Sequence, residues 1–193
     1  MKAIKNFGLI FFESAQSFKK VRNLTLISLF TALVVVGNII RIPIVPGSLE
    51  IRFGYIFMSS TAFLFGPVAA CVAGIISDLI AYVLNPGGVF HPGFTLNAAL
   101  GGIIYGIFLY KKNPDSPYFI INIVISKALV NLAINIILTP IWLFGLFGSA
   151  GKMLTLVRLY KNIVILPIEI IIMFVVIKSL TAILKKSNWK ILE

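Results

Sequence analysis

Long apolar runs, separated by proline, glycine and asparagine, constrain this chain of 193 residues more than any other feature. A helix that crosses a bilayer needs about 20 mostly apolar residues, because lipid offers no water to unpaired backbone groups. Of the nine prolines, only Pro167 lies well inside a run, where a bend is expected. The pattern predicts an all-α integral membrane protein, a bundle of six membrane-spanning helices. These spans are Leu24–Ile42, Ile51–Phe65, Pro67–Leu84, Phe94–Tyr110, Tyr118–Phe144 and Leu154–Leu184.

The composition agrees with a membrane protein. The chain is 59% hydrophobic and 12% charged, whereas a soluble domain carries about 25% charged residues. This argues against a soluble enzyme, a disordered chain and a secreted disulfide scaffold. The single cysteine, Cys71, lies in an apolar run, so there is no disulfide framework or cysteine-rich metal site, and we expect no metal or cofactor.

The chain divides into three parts. Residues 1–22 combine lysines with a short apolar stretch and lack a signal-peptide cleavage site, which predicts an amphipathic helix on the membrane surface. Residues 23–185 form the six-helix membrane domain, and residues 186–193 form a cytoplasmic tail.

The distribution of cations predicts the orientation of the bundle. Eleven lysines and arginines fall on the side of the two termini and five on the other side. The positive-inside rule therefore places both termini in the cytoplasm, and it explains the net charge of +11 without a nucleic-acid partner. The outer cations indicate an anionic ligand or lipid headgroup, or are solvated loop charges. They are Arg41, Arg52, Lys152, Arg158 and Lys161.

Polar residues within spans need an explanation, since a charged group costs about 2.5–3.5 kcal/mol to insert. Asp78, Lys127 and Glu169 are such groups, and a structural Lys127–Glu169 ion pair is one reading of the last two. Lys127, Asn131 and Asn135 recur at steps of four and share a helix face. That face either hydrogen-bonds to a neighbouring helix or forms a polar wall for a ligand, a role that suits Asn135 best.

The outer end of the fourth span combines two aromatic residues, a histidine and an amide, namely Phe90, His91, Phe94 and Asn97. Such a mixture can stack against a flat ring and hydrogen-bond to its edge. An ordinary interfacial loop is the alternative, because aromatic residues gather at that depth in any case.

Small residues recur on two spans. Ala98, Gly102 and Gly106 allow a neighbouring backbone to approach closely, and Ser28 and Ala32 suit packing against another helix or another subunit. The chain has no nucleotide-binding loop and no H-E-x-x-H or G-x-S-x-G motif, so we expect it not to hydrolyse ATP itself.

Several of these segments together resemble the substrate-binding S subunits of energy-coupling factor (ECF) vitamin transporters, most closely the folate-specific members. In this chain His91 stands where the folate members have an aromatic residue, Pro140 and Ile141 interrupt a Thr-Leu-Trp pattern, and Ser28 departs from an Ala-xxx-Ala motif. The segments that carry the resemblance are 65–78, Pro-Gly-Gly-Val-Phe-His-Pro-Gly-Phe-Thr-Leu-Asn at 86–97, Gly-Ile-Ile-Tyr-Gly at 102–106, Thr-Pro-Ile-Trp-Leu at 139–143 and Arg-Leu-Tyr-Lys at 158–161.

The resemblance implies a non-enzymatic subunit of the bacterial plasma membrane. It would bind folate on the outer side, dock on a transmembrane coupling subunit through Ser28 and Ala32, and depend on two ABC-type ATPases. In this reading the aromatic rings hold the pterin, Asp78 accepts its N–H donors, and arginines meet the glutamate carboxylates. The implied binding residues are Phe90, His91, Phe94, Asn97, Asp78, Arg41, Arg52, Asn135, Trp142 and Arg158.

Three other functions remain open from the sequence. The chain could be an S subunit for another vitamin, such as pantothenate or a queuosine precursor. It could be a membrane enzyme acting on lipids, with His91 and Asp78 as the candidate groups. It could also be a membrane scaffold that binds only other proteins.

Overall fold

The structure is a computed structural model that describes residues 2–45, 49–84 and 90–186. Helices dominate it, as the composition predicts. The helices are α1 Lys2–Gln16, α2 Val21–Ile39, α3 Gly54–Leu84, α4 Pro92–Leu109, α5 Phe119–Leu129, α6 Thr139–Phe147 and α7 Ser149–Lys186, with a 3₁₀ turn at Ser17–Lys19 and a π-helical segment at Val130–Leu138. Two strands, β1 Arg41–Val45 and β2 Leu49–Arg52, pair antiparallel.

Within the described residues, five helical stretches are long and apolar enough to cross a membrane. They are Val21–Ile39, Gly54–Leu84, Pro92–Leu109, Phe119–Leu146 and Asn162–Lys186. The predicted second and third spans both lie in α3, which the backbone of Gly66 interrupts with φ +85° and ψ −173°. The chain is therefore a multi-pass membrane protein. Its α3 consists of two helices, which we call α3a (54–65) and α3b (67–84).

A serine from another helix stabilises the break in α3. The Ser14 hydroxyl donates to the Phe65 carbonyl at 2.6 Å and accepts from the backbone N–H groups of Val68 and Ala69 at 3.0 and 3.2 Å. It thus caps α3b, the role usually taken by a residue directly before the helix. A Cβ on Gly66 would lie 2.8 Å from the Ser14 side chain, so only glycine fits both the space and the positive φ.

Small residues bring α3b and α4 into backbone contact. A Cβ on Gly102 would lie 2.4 Å from the Ala70 carbonyl oxygen, and one on Gly106 would lie 2.3 Å from the Pro67 Cα. The predicted close approach is therefore confirmed. Gly102 lies against Ala70 and Gly106 lies against Pro67, so the contact moves toward the start of α3b as α4 proceeds. The two helices are therefore antiparallel. A Cβ on Gly74 would also lie 3.1 Å from Met58 Cε, so α3a and α3b fold back on each other.

Because α3a, α3b and α4 alternate in direction, the bundle has two ends. At one end, Glu13 of α1 pairs with Lys111 after α4, and Asp115 pairs with Lys185 near the end of α7. We call it the α1 end. The β-hairpin, the start of α4 and the junction of α6 with α7 lie at the opposite end, which we call the hairpin end. The two ion pairs therefore place α1 and the end of α7 at the same end of the bundle, in agreement with the predicted topology.

Two connections differ from the sequence prediction. The segment expected as a loop between spans one and two forms the β-hairpin, so α2 ends at Ile39 rather than Ile42 and α3 begins at Gly54 rather than Ile51. Prolines end the helix, and the β-branched residues around them favour a strand. Only Gly148, with φ +58°, separates α6 from α7. The helix α7 includes Pro167, and the bend expected there stays a prediction.

Candidate functional site

Three rings form a cluster at the hairpin end. The His91 ring lies 5.9 Å from the Phe94 ring and 5.5 Å from the Trp142 ring, measured between centroids. A Cβ on Gly93 would lie 2.5 Å from the Trp142 indole, so the absence of a side chain there lets the indole lie against the start of α4. The structure therefore brings together three of the residues that the sequence analysis proposed for substrate binding.

The backbone orients His91. Its Nδ1 accepts from the Gly93 N–H at 3.1 Å, which makes His91 the N-cap of α4, with Pro92 at the first helical position. In the neutral ring the proton then lies on Nε2. A histidine at this position thus does more than replace an aromatic ring, because it fixes the start of the helix and keeps one donor for a ligand.

The amide of Asn97 connects α4 to α6. Its Nδ2 donates to Thr139 Oγ1 at 3.1 Å, and its Oδ1 accepts from Trp142 Nε1 at 3.1 Å. The Asn97 side chain is almost fully buried. The structure therefore gives Asn97 a positioning role, holding the Trp142 ring, that the sequence did not reveal.

Two further candidates lie on or near α3b. Thr95 donates to Asp78 Oδ2 at 2.7 Å, so the carboxylate lies beside the first turn of α4. The Phe90 ring packs on Tyr82 at 5.2 Å, and Phe90 is 40% exposed. Tyr82 was not among the predicted site residues, and nothing in its local sequence distinguishes it from other aromatic residues in spans.

The polar face of the fifth span contacts α7. Asn135 Nδ2 donates to Asn131 Oδ1 at 3.1 Å and to Asn162 Oδ1 at 3.2 Å. Asn131 Nδ2 donates to the Asn162 backbone oxygen at 3.5 Å. Of the two interpretations left open, the structure supports hydrogen bonding between helices, and a ligand contact of Asn135 stays a prediction. The sequence analysis did not single out Asn162, although a lone amide in an apolar run indicates a hydrogen bond to a neighbouring helix.

Lys127 and Glu169 form the predicted ion pair. Lys127 Nζ lies 3.1 Å from Glu169 Oε2 and 3.9 Å from the centre of the Tyr55 ring. Their side chains are only 4% and 15% exposed. The hydroxyls of Tyr55 and Tyr105 are buried without a hydrogen-bond partner among the described residues. The pair connects α5 with α7 well away from the ring cluster.

The predicted outer cations are only partly covered by the structure. Arg41 and Arg52 face each other across the β-hairpin in backbone register, and the Arg52 side chain is exposed. The side chains of Arg41 and Arg158 lie outside the described residues, as do those of Lys152 and Lys161. The hairpin nevertheless places two arginine positions opposite each other at the end of the bundle where the rings lie.

Ser28 and Ala32 lie on an exposed face of α2. The Ser28 hydroxyl donates to the Leu24 carbonyl at 2.9 Å, and the neighbouring Thr25 hydroxyl donates to the Val21 carbonyl at 3.0 Å. Because the helix itself takes up these donors, the face can contact lipid or another apolar helix without an unpaired polar group.

Comparison with known proteins gives a consistent result. The profile of the family described as ECF-type riboflavin transporter, S component, matches residues 18–186. The folate transporter FolT of Clostridium novyi is 36% identical over 126 residues, which cover 65% of this chain and 71% of that protein. The riboflavin transporter RibU of Staphylococcus aureus is 24% identical over 161 residues, 82% of this chain and 83% of that protein.

A solved structure shows the same fold. The crystal structure of FolT bound with folic acid superposes with a TM-score of 0.70 at 32% sequence identity. The match covers 80% of this chain and 90% of that one. The relatives are named as transporters, which agrees with the prediction that the chain is not an enzyme.

Proposed function

The chain belongs to the family of S components of ECF-type transporters, and we propose that it binds folate at the hairpin end of the bundle and delivers it inward. The observation that carries the proposal is the ring cluster of His91, Phe94 and Trp142 in a chain that shares its fold with folic-acid-bound FolT. Three rings at one site suit a flat pterin and its aminobenzoyl ring, since stacked and edge-on aromatic contacts both contribute.

Charge favours folate over riboflavin. Folate carries a glutamate with two carboxylates, whereas the riboflavin ring system is uncharged. The arginine positions Arg41 and Arg52 face each other across the hairpin, and an arginine can bind a carboxylate through two parallel hydrogen bonds. We assign these two residues and Arg158 to the glutamate, and Asp78 and Asn135 to polar edges of the ligand.

We further propose that the hairpin end faces outward and that both termini are cytoplasmic, as the cation count indicates. Residues 1–22 then lie at the inner membrane surface and residues 186–193 form a cytoplasmic tail. The exposed face of α2 around Ser28 and Ala32 would dock on the transmembrane coupling subunit, which two ABC-type ATPases drive. The family to which the chain belongs supports this assignment.

Titration of the purified protein with folate and with riboflavin tests the ligand. We expect saturable folate binding that quenches tryptophan fluorescence, and no displacement by riboflavin, pantothenate or a queuosine precursor. Phe94→Ala should weaken binding by about 2- to 10-fold, the loss of one ring contact. The control is Leu96→Ala, an exposed position on the same helix, which should bind as the wild type does.

A ligand truncation tests the charge assignment separately. Pteroate lacks the glutamate of folate and keeps only the carboxylate of its aminobenzoate, so Arg52→Gln should weaken folate binding more than pteroate binding. The matched control is Lys112→Gln, an exposed cation at the α1 end. Riboflavin binding in place of folate would show that folate is not the ligand, and it would leave the family assignment unchanged. An equal effect of Arg52→Gln on folate and pteroate would refute the role of the arginine.

A further inference from the structure

A charged cavity of about 360 Å³ lies at the α1 end, opposite the proposed folate site. The end of α1, the 3₁₀ turn after it, the start of α2, the end of α3a and the residues directly after α4 line it. It belongs to neither the ring cluster nor the α2 face, so its role is separate from the proposed substrate, and only the cytoplasmic placement of the α1 end rests on the proposed function.

Three cations line this cavity, namely Lys19, Lys20 and Lys111. Its one acidic residue, Glu13, pairs with Lys111 at 2.6 Å. That hydrogen bond raises the pKa of Lys111, so the ammonium stays charged throughout the neutral range. Lys19 and Lys20 make no salt bridge within the part of the chain that the structure describes. The cavity therefore has an excess of positive charge with two ammonium groups available to an anion.

The lining is also partly apolar. Leu64 and Phe65 form its inner wall, and the Tyr110 ring lies 5.7 Å from the Lys111 ammonium. A cavity with cations on one side and apolar side chains on the other suits an amphiphilic anion better than a small hydrated one, because the apolar wall offers nothing to a hydrated ion.

The position of the cavity relative to the membrane points to one source of such an anion. On the neighbouring α1, Leu9 and Phe12 are 52% and 61% exposed, as expected for a helix that lies in the membrane surface. Phosphate headgroups lie at that depth, and basic pockets between helices on the cytoplasmic side are a recurrent binding site for them.

We propose that this cavity binds the phosphate headgroup of an anionic phospholipid, with Lys19, Lys20 and Lys111 as the cationic contacts. The lipid would lie against the 3₁₀ turn and the break in α3, and so link α1 to the bundle. A lysine near a membrane surface contributes about fivefold to the affinity for an anionic headgroup.

Lipid retention tests the proposal. The full chain is reconstituted in nanodiscs of phosphatidylcholine with and without phosphatidylglycerol, and native mass spectrometry after release counts the retained lipid. We expect one phosphatidylglycerol to be retained and the thermal midpoint to rise with its mole fraction. Lys19→Gln/Lys20→Gln should weaken retention by about 20- to 30-fold, two steps of the fivefold lysine contribution.

Two controls distinguish lipid binding in the cavity from a general effect of charge and from binding of a free anion. Lys112→Gln removes an exposed cation at the same end that does not line the cavity, and its lipid retention should equal that of the wild type. Inorganic phosphate added to pure phosphatidylcholine nanodiscs should not raise the midpoint. If phosphate stabilises as well as the lipid does, the site is for a free anion and the lipid proposal is wrong. If the double variant retains phosphatidylglycerol as the wild type does, the cavity is not the site.

Discussion

The buried ion pair between Lys127 and Glu169 allows a sharp test of the bundle. With the Lys127 and Glu169 side chains 4% and 15% exposed, either group alone would be left charged and largely without water. Removing one partner of a buried pair costs about 3–5 kcal/mol, while replacing both by apolar residues of similar volume is often neutral or stabilising. Lys127→Met should therefore destabilise strongly, and Lys127→Met/Glu169→Leu should recover most of the loss.

The expected shift is large enough to measure. At about 2–4 °C per kcal/mol for a chain of this size, Lys127→Met should lower the midpoint of thermal unfolding in detergent by about 6–20 °C. Gel filtration after a heating series reports the folded fraction without a ligand. Denaturation in a series of detergent mixtures gives the free energy of unfolding independently.

The chain provides its own matched control. Glu13 and Lys111 are paired at 2.6 Å but are 40% and 49% exposed. An exposed pair contributes about 0–1 kcal/mol, so Lys111→Met should change the midpoint by no more than a few degrees. Equal effects of Lys127→Met and Lys111→Met, or a double variant as unstable as Lys127→Met alone, would show that burial does not make the Lys127–Glu169 pair sensitive to the loss of one partner.

Three other substitutions follow from the packing. Gly102→Ala should destabilise by about 1–3 kcal/mol in the same assay, because its methyl group would meet the Ala70 backbone; no loss would contradict the α3b–α4 contact. Ser14→Ala should cost about 1–2 kcal/mol through the lost cap of α3b, while Ser28→Ala, whose hydroxyl is exposed, should cost less than half as much. Ala32→Leu should abolish uptake in cells that contain the coupling subunit and leave folate binding intact, whereas the exposed Ala182→Leu should leave both intact.

Much of the architecture is determined by residues close together in the chain. Apolar length fixes where spans lie, because the cost of placing a backbone in lipid is the same in any fold. Gly66–Pro67 interrupts a helix through its own backbone preferences, and the α3 break appears there. The scarcity of charge within spans likewise made a Lys127–Glu169 pair predictable, since few other partners were available to either group.

Which side chains contact each other depends on how the helices pack. Ser14 caps a helix that begins more than 50 residues later, Trp142 lies on Gly93, and Asn162 accepts from Asn135. These contacts depend on how helices pack, and no local period in the sequence encodes the distance between two helices. The proposed binding residues of the hairpin end come from separate helices for the same reason. Local sequence therefore accounts for where the apolar spans lie, and helix packing accounts for which side chains form the candidate site between them.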